Sequence, residues 1–186
     1  KIKYREVNGH ISETSNDAIK MARGKFLAFL DHDDLLPSES LSRVAKTLEA
    51  NPKVKFIYTD EDKIDHNGKR SGPYFKPDWN PELLLSQNYL CHLTCVEKKV
   101  VQKIGNFRKG YEGAQDWDLF LRVTEILDKS EIYHIPEILY HWRKSPKSTA
   151  YRLNAKSYVK KVSIKVLQDT ISRRRIKGEV IISNTK

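Results

Sequence analysis

The stretch Phe26–Asp34, FLAFLDHDD, decides the fold. Five apolar residues of strand character run straight into Asp31, Asp33 and Asp34, with His32 among them. A short continuous apolar run bounded this way reads as a strand buried on both faces, as in a sheet covered by helices on each side. In open α/β sheets, ligands bind at the carboxyl ends of strands. Three carboxylates at such an end repel one another and call for a cation, and hard oxygen ligands favour Mg2+ or Mn2+. Capping of the next helix would account for Asp34 but not for all three acids.

Helices and strands alternate outward from this point. Ile2–Val7 alternates as a strand does, and Ser12 to Ala22 reads as a helix with Ala18, Ile19 and Ala22 on its apolar stripe. Pro37 and Ser38 open a helix to Ala50, with Leu41, Val44, Ala45 and Leu48 facing inward. Val54–Thr59 is a second buried strand that ends in acid, at Asp60, Glu61 and Asp62. Residues 63–80 read as a long ordered loop. Then come a strand at Leu90–Val96, a short helix at Val100–Ile104, and a helix at Gln115–Leu127. Short strands are expected at Ile132–Ile135 and Ile138–His141, a basic amphipathic helix from Ala155 to Arg174, and a last strand at Val180–Ser183. The alternation predicts an α/β fold around a mixed, mostly parallel sheet flanked by helices.

Composition narrows the classes. At 186 residues and 39% hydrophobic, the chain suits one globular domain. No apolar run is long enough to span a bilayer, and the opening residues do not read as a secretory leader. Cys91 and Cys95 have no matching ligand pair and read as free thiols, which fits a reducing compartment. The net charge of +10 is uneven: residues 1–142 carry 21 Lys and Arg against 22 Asp and Glu, residues 143–186 carry 13 against 2. A tail of that sign suits an anionic surface, whether lipid headgroups, nucleic acid or the domain's own acidic face.

VNGHISETSNDAIKMARGKFLAFLDHDDLLP, YTDEDKID, FKPDWNPELL, YEGAQDWDLFLR and HIPEILYHWR, taken in order, resemble family 2 glycosyltransferases of the GT-A fold, and most nearly the bacterial O-antigen and cell-surface polysaccharide branch. The likeness covers about residues 4–150, so residues 1–150 are expected to form the catalytic domain and 151–186 a basic helical extension. The family pattern begins with further strands that hold the nucleobase. They do not precede Lys1 here, so the sequence reads as a domain incomplete at its N-terminus that transfers sugar poorly by itself.

The resemblance implies a nucleotide-diphosphate sugar donor, a glycan or lipid-linked glycan acceptor, Mn2+ or Mg2+, and an inverting displacement. It makes Asp33 the direct metal ligand, turns Asp31 to the donor ribose or sugar, and has Asp34 support the metal shell. Inner-helix Asn16 and Arg143 go with donor binding, and His141 joins the metal and diphosphate. Asp116 is the expected general base, beside Gln115 where many members have Glu. Asp60, Glu61, Asp62, Trp79, Gln115 and Trp117 are assigned to the sugar and acceptor pocket, the tryptophans as stacking faces. The basic helix either lies on anionic lipid at the inner face of the cytoplasmic membrane or packs on the domain; a cytoplasmic location fits both. Two other classes stay open: a metal-dependent phosphohydrolase using Asp31, Asp33 and Asp60, and a nucleic-acid-binding module driven by the tail. Against the second, no recognised nucleic-acid motif is present, and no nucleic-acid partner is expected.

Overall fold

A computed structural model gives the fold, describing residues 2–144 and 153–181, without the side chains of 153–156. Helix α1 (His10–Met21) leads into strand β1 (Phe26–Phe29), and helix α2 (Ser40–Ala50) into strand β2 (Phe56–Ile64). Strand β3 (Arg70–Tyr74), helix α3 (Pro81–Ser86), strand β4 (Thr94–Glu97) and helix α4 (Lys98–Lys103) follow. Helix α5 (Gln115–Thr124), strand β5 (Ile132–Arg143) and helix α6 (Leu153–Arg173) complete the order.

The sheet is mixed. Strand β4 lies antiparallel between β1 and the first half of β2. Strand β3 pairs antiparallel with the second half of β2, and β5 runs parallel to β2 along its whole length. Strands β1, β2 and β5 therefore point the same way, and β5 is β2's only parallel neighbour among the described pairings. Successive β2 side chains enter opposite cores, as a two-residue period requires. Phe56 and Tyr58 join Leu27, Val96, Phe120 and Leu121 on one face; Ile57 joins Val44, Cys95 and Leu139 on the other.

Several sequence expectations change. Residues 2–7 form no strand: Ile2, Tyr4 and Val7 are exposed, and alternation cannot hold a strand that has no partner. Strand β2 does not stop at Thr59 but runs through Asp60, Glu61 and Asp62, all buried. The expected loop at 63–80 holds the hairpin to β3 and ends on Asn80, the cap of α3. Asp65 makes the turn, its carboxylate accepting the N–H groups of Asn67 and Lys69 at 2.9 Å each, while Gly68 adopts φ +79. Asn80 then caps α3 by accepting the Leu83 N–H at 2.8 Å. The two short strands around Pro136 are one strand, β5, whose register slips there because proline offers no N–H to the ladder.

Helix α5 is buried on every side from Trp117 to Thr124, more than its expected stripe required. Its Asp118 carboxylate meets Arg108 and Arg122, and Arg122 donates onward to the carbonyls of Ile104 and Asn106 at 2.8 Å each. Helix α6 packs on the domain through Val162 and Val166, and Glu125 holds both Arg173 and Arg174. Of the strand expected at Val180–Ser183, Val180 and Ile181 are not in a strand, and the other two residues lie outside the described residues. Cys91 and Cys95 are free thiols, as read from the sequence.

Candidate active site

A cleft of about 540 Å³ opens between the end of β1 and the start of α5. Its walls include Phe29, Leu30, Asp31, Cys91, His92, Gln115, Asp116 and Trp142. Asp31 arrives because β1 ends there. Asp116 arrives because the loop before α5 turns through Gly110 and Gly113, at φ +85 and +92. At Gly113 a Cβ would lie 3.1 Å from the Tyr158 ring of α6, so the loop approaches that helix closely only with glycine.

The acids of the β1 end differ in environment. Asp31 and Asp33 are exposed, whereas Asp34 is buried. The Asp34 carboxylate accepts the Tyr140 hydroxyl and, at 2.8 Å, the Arg143 N–H. Burial raises its pKa, and those hydrogen bonds pull it back. Arg143 also donates from Nε to the Asp33 carbonyl, tying the 31–34 turn to β5. Leu35 and His141 form a bridge that brings β5 against the same turn. His141 Nδ1 is held by Asp62, which fixes the ring and leaves Nε2 for another partner.

Asp116 is half-buried at the first turn of α5. Burial pushes its carboxyl above the ordinary range, opposed by the charge of His92, by the N–H groups of Trp117 and Asp116, and by the Asn88 amide at 2.8 Å. A carboxylate that holds a proton more tightly than usual, opening on a cleft, suits a general base.

The other expected residues go elsewhere. Asp60, Glu61 and Asp62 are a buried, paired row rather than an open acidic turn. Asp60 meets His134 and the Lys76 N–H, each at 2.9 Å; Glu61 meets Lys76 at 3.0 Å; Asp62 meets Arg70 at 2.6 Å and His141. Asp60 is thus engaged by His134 and Lys76, and among the described residues it does not join Asp31 and Asp33 in an acidic group, as the phosphohydrolase alternative needs. The Asn16 side chain lies outside the cleft, its amide bonded both ways to the Phe107 backbone at 2.9 Å. Trp117 is in the core, its indole N–H donating to the Leu84 carbonyl at 2.7 Å. Trp79 lines a separate groove with Asp78, Tyr133 and His134. Sequence reasoning missed His92, Asn88 and Tyr140. Tyr140 lies within HIPEILYHWR and His92 within the Leu90–Val96 strand, but neither position marks a site residue by itself, and each of the three gains its place through a fold contact.

Metal fit can be judged from the donor set. Asp31 and Asp33 offer exposed carboxylate oxygens at a strand end, and His141 has one ring nitrogen engaged by a buried carboxylate, the usual companion of a ligating imidazole. The tightest acid and histidine group among the described residues is a different one, Asp31, Asp34 and His92, with one atom of each within 4.8 Å of the others. A divalent ion is compatible with this end of the sheet.

A mixed α/β sheet whose acidic strand end faces a half-buried carboxylate across a cleft is the frame, and comparison with known proteins gives its class. Residues 1–105 match the model of Glycosyl transferase family 2, and the chain belongs to that family. It is 44% identical over 173 residues to the uncharacterised protein y4gI of Sinorhizobium fredii, covering 93% of this chain and 19% of that protein. It is 37% identical over 172 residues to the O-antigen biosynthesis protein RfbC of Myxococcus xanthus, covering 92% and 13%. The chain thus spans less than a fifth of either relative. In fold it is similar to the mannosyltransferase PcManGT of Pyrobaculum calidifontis, solved with GDP-Man and Mn2+, with a TM-score of 0.54 at 14% identity over 94% of this chain and 57% of that one.

Proposed function

We propose that this chain is the catalytic region of a metal-dependent, inverting glycosyltransferase. It moves a sugar from a nucleotide-diphosphate donor to a hydroxyl of a bacterial surface polysaccharide or lipid-linked glycan. The observation that carries this reading is the meeting of Asp31 and Asp116 across one cleft. The family, the O-antigen relative and the GDP-Man and Mn2+ of the structural neighbour support it.

In this reading the donor diphosphate lies over the 31–34 turn and the acceptor hydroxyl faces Asp116. Asp116 takes the hydroxyl proton as the acceptor oxygen bonds to the anomeric carbon. The bond from that carbon to the phosphate oxygen breaks on the opposite side, and the nucleoside diphosphate departs. Asp33 and His141 would hold an Mn2+ or Mg2+ ion, which supplies positive charge for the leaving diphosphate when bound. Asp31 faces the donor, and Gln115 borders the acceptor. Residues 1–150 form the catalytic part and 151–186 a basic helical extension, resting against the domain at Val162 and Val166.

The test uses the full-length protein that carries this chain. Thermal stability is read with a panel of nucleoside diphosphates, with and without Mn2+, on wild type and Asp33→Asn. The reading expects a metal-dependent stabilisation by one nucleotide, lost in the variant. No stabilisation by any nucleoside diphosphate in either condition would sink it.

A further inference from the structure

Among the cleft's walls, His92 is held at its backbone and ring face while its ring nitrogens bond to no protein group among the described residues. Its N–H donates to Glu61 Oε2 at 3.1 Å, and its carbonyl accepts from Lys76 Nζ. Glu61 and Lys76 are themselves a buried ion pair, and Lys76 donates a further bond to the Leu90 carbonyl at 2.8 Å. The His92 imidazole stacks on Tyr140, centroids 4.6 Å apart and planes at 16°. The Tyr140 hydroxyl reaches Asp34 and accepts the Asp31 N–H at 3.2 Å. The backbone on both sides of the residue and the face of its ring are thereby fixed.

Both ring nitrogens are left over. Neither has a hydrogen-bond or ion-pair partner among the described residues, although the ring lines the cleft with Asp31 and Asp116. One nitrogen lies within 4.8 Å of a carboxylate oxygen of Asp31 and of Asp34. A buried ion pair is a costly way to fix a loop unless the loop must be held in one place. A side chain so fixed, with its polar atoms unused, is preorganised for a group that is not protein.

We propose that His92 is a catalytic residue of the transfer, donating a hydrogen bond from its free ring nitrogen to a hydroxyl of the sugar in the cleft. Glu61, Lys76 and Tyr140 are its positioning residues. The inference rests on the proposed glycosyl transfer and adds a substrate contact on the wall between the donor turn and the base.

His92→Phe separates this role from a structural one. Phenylalanine keeps the stack on Tyr140 and the backbone bonds, and removes only the nitrogens. His92→Gln restores an N–H. In the full-length protein, His92→Phe should lower kcat about a hundredfold, and His92→Gln should recover roughly tenfold of that. Stabilisation by nucleoside diphosphate with Mn2+ should match wild type in both. Wild-type kcat in His92→Phe overturns the inference. Loss of nucleotide stabilisation overturns it too, since it places His92 on the ion or the diphosphate. A wild-type protein that binds no nucleoside diphosphate and transfers no sugar refutes the proposed function itself, and the His92 role falls with it.

Discussion

Lys76→Met should be among the most damaging single changes in this chain, although the residue lies outside the cleft walls. The Lys76 side chain is fully buried, and its ammonium donates to Glu61 at 3.0 Å, to the Leu90 carbonyl at 2.8 Å and to the His92 carbonyl. Methionine matches the stem but leaves the Glu61 carboxylate buried with the His92 N–H as its remaining partner. Removing one member of a buried ion pair costs about 3–5 kcal/mol. At roughly 2–4 °C per kcal/mol for a domain of this size, the melting temperature should fall by about 10 °C. Thermal and urea denaturation measure the loss. The double change Lys76→Met with Glu61→Leu should recover most of it, because an apolar pair replaces the ion pair without an unpaired charge. The recovery stops short of wild type by about 1–3 kcal/mol, since the His92 N–H then lacks its acceptor. A loss below about 1 kcal/mol in Lys76→Met, or single losses that simply add in the double variant, would refute the buried-pair account.

Three other outcomes follow from the same geometry. Asp116→Asn should abolish transfer yet raise the melting temperature at neutral pH, because the fold disfavours the ionised carboxyl. The raised folded pKa means that Asp116 stabilises the fold below the ordinary carboxylate range and that this contribution is lost as pH rises through the folded value. The variant's stability should therefore fall less than wild type's over that window in a pH series of thermal melts. Asn16→Ala should cost about 2 kcal/mol by removing two hydrogen bonds to the Phe107 backbone, with nucleotide-induced stabilisation unchanged. An altered nucleotide shift would place Asn16 at the donor after all. Trp117→Phe should cost about 1–2 kcal/mol through the lost bond to Leu84 and leave the acceptor KM unmoved. A large rise in that KM would reveal a stacking role.

The elements that carry a short apolar run or stripe of their own were legible in position. Helix α1 kept Ile19 inward and α2 kept Val44, while Ala18, Leu41 and Ala45 of the expected stripes are exposed; β1 lies where its apolar run placed it, but Ala28 on one of its faces is exposed rather than buried. Residues 2–7 misled because alternation describes a strand's faces and says nothing of whether a neighbour exists to receive its hydrogen bonds. The acids of β2 misled the other way. A run of carboxylates reads as a strand end, and only Lys76, His134, Arg70 and His141, brought against them by the folded sheet, make their burial tolerable.

The sequence by itself determined the class of fold, the acidic end of β1, the family and the position of Asp116, because each is written in the order and period of neighbouring residues. Tertiary structure decided which charges meet. Asp31 and Asp116 share a cleft while Asp60, close to both in type, is sealed behind His134 and the Lys76 backbone. A carboxylate's chemistry is set by what lies within a few ångströms of it, by water, cation or amide, and chain order does not encode that distance.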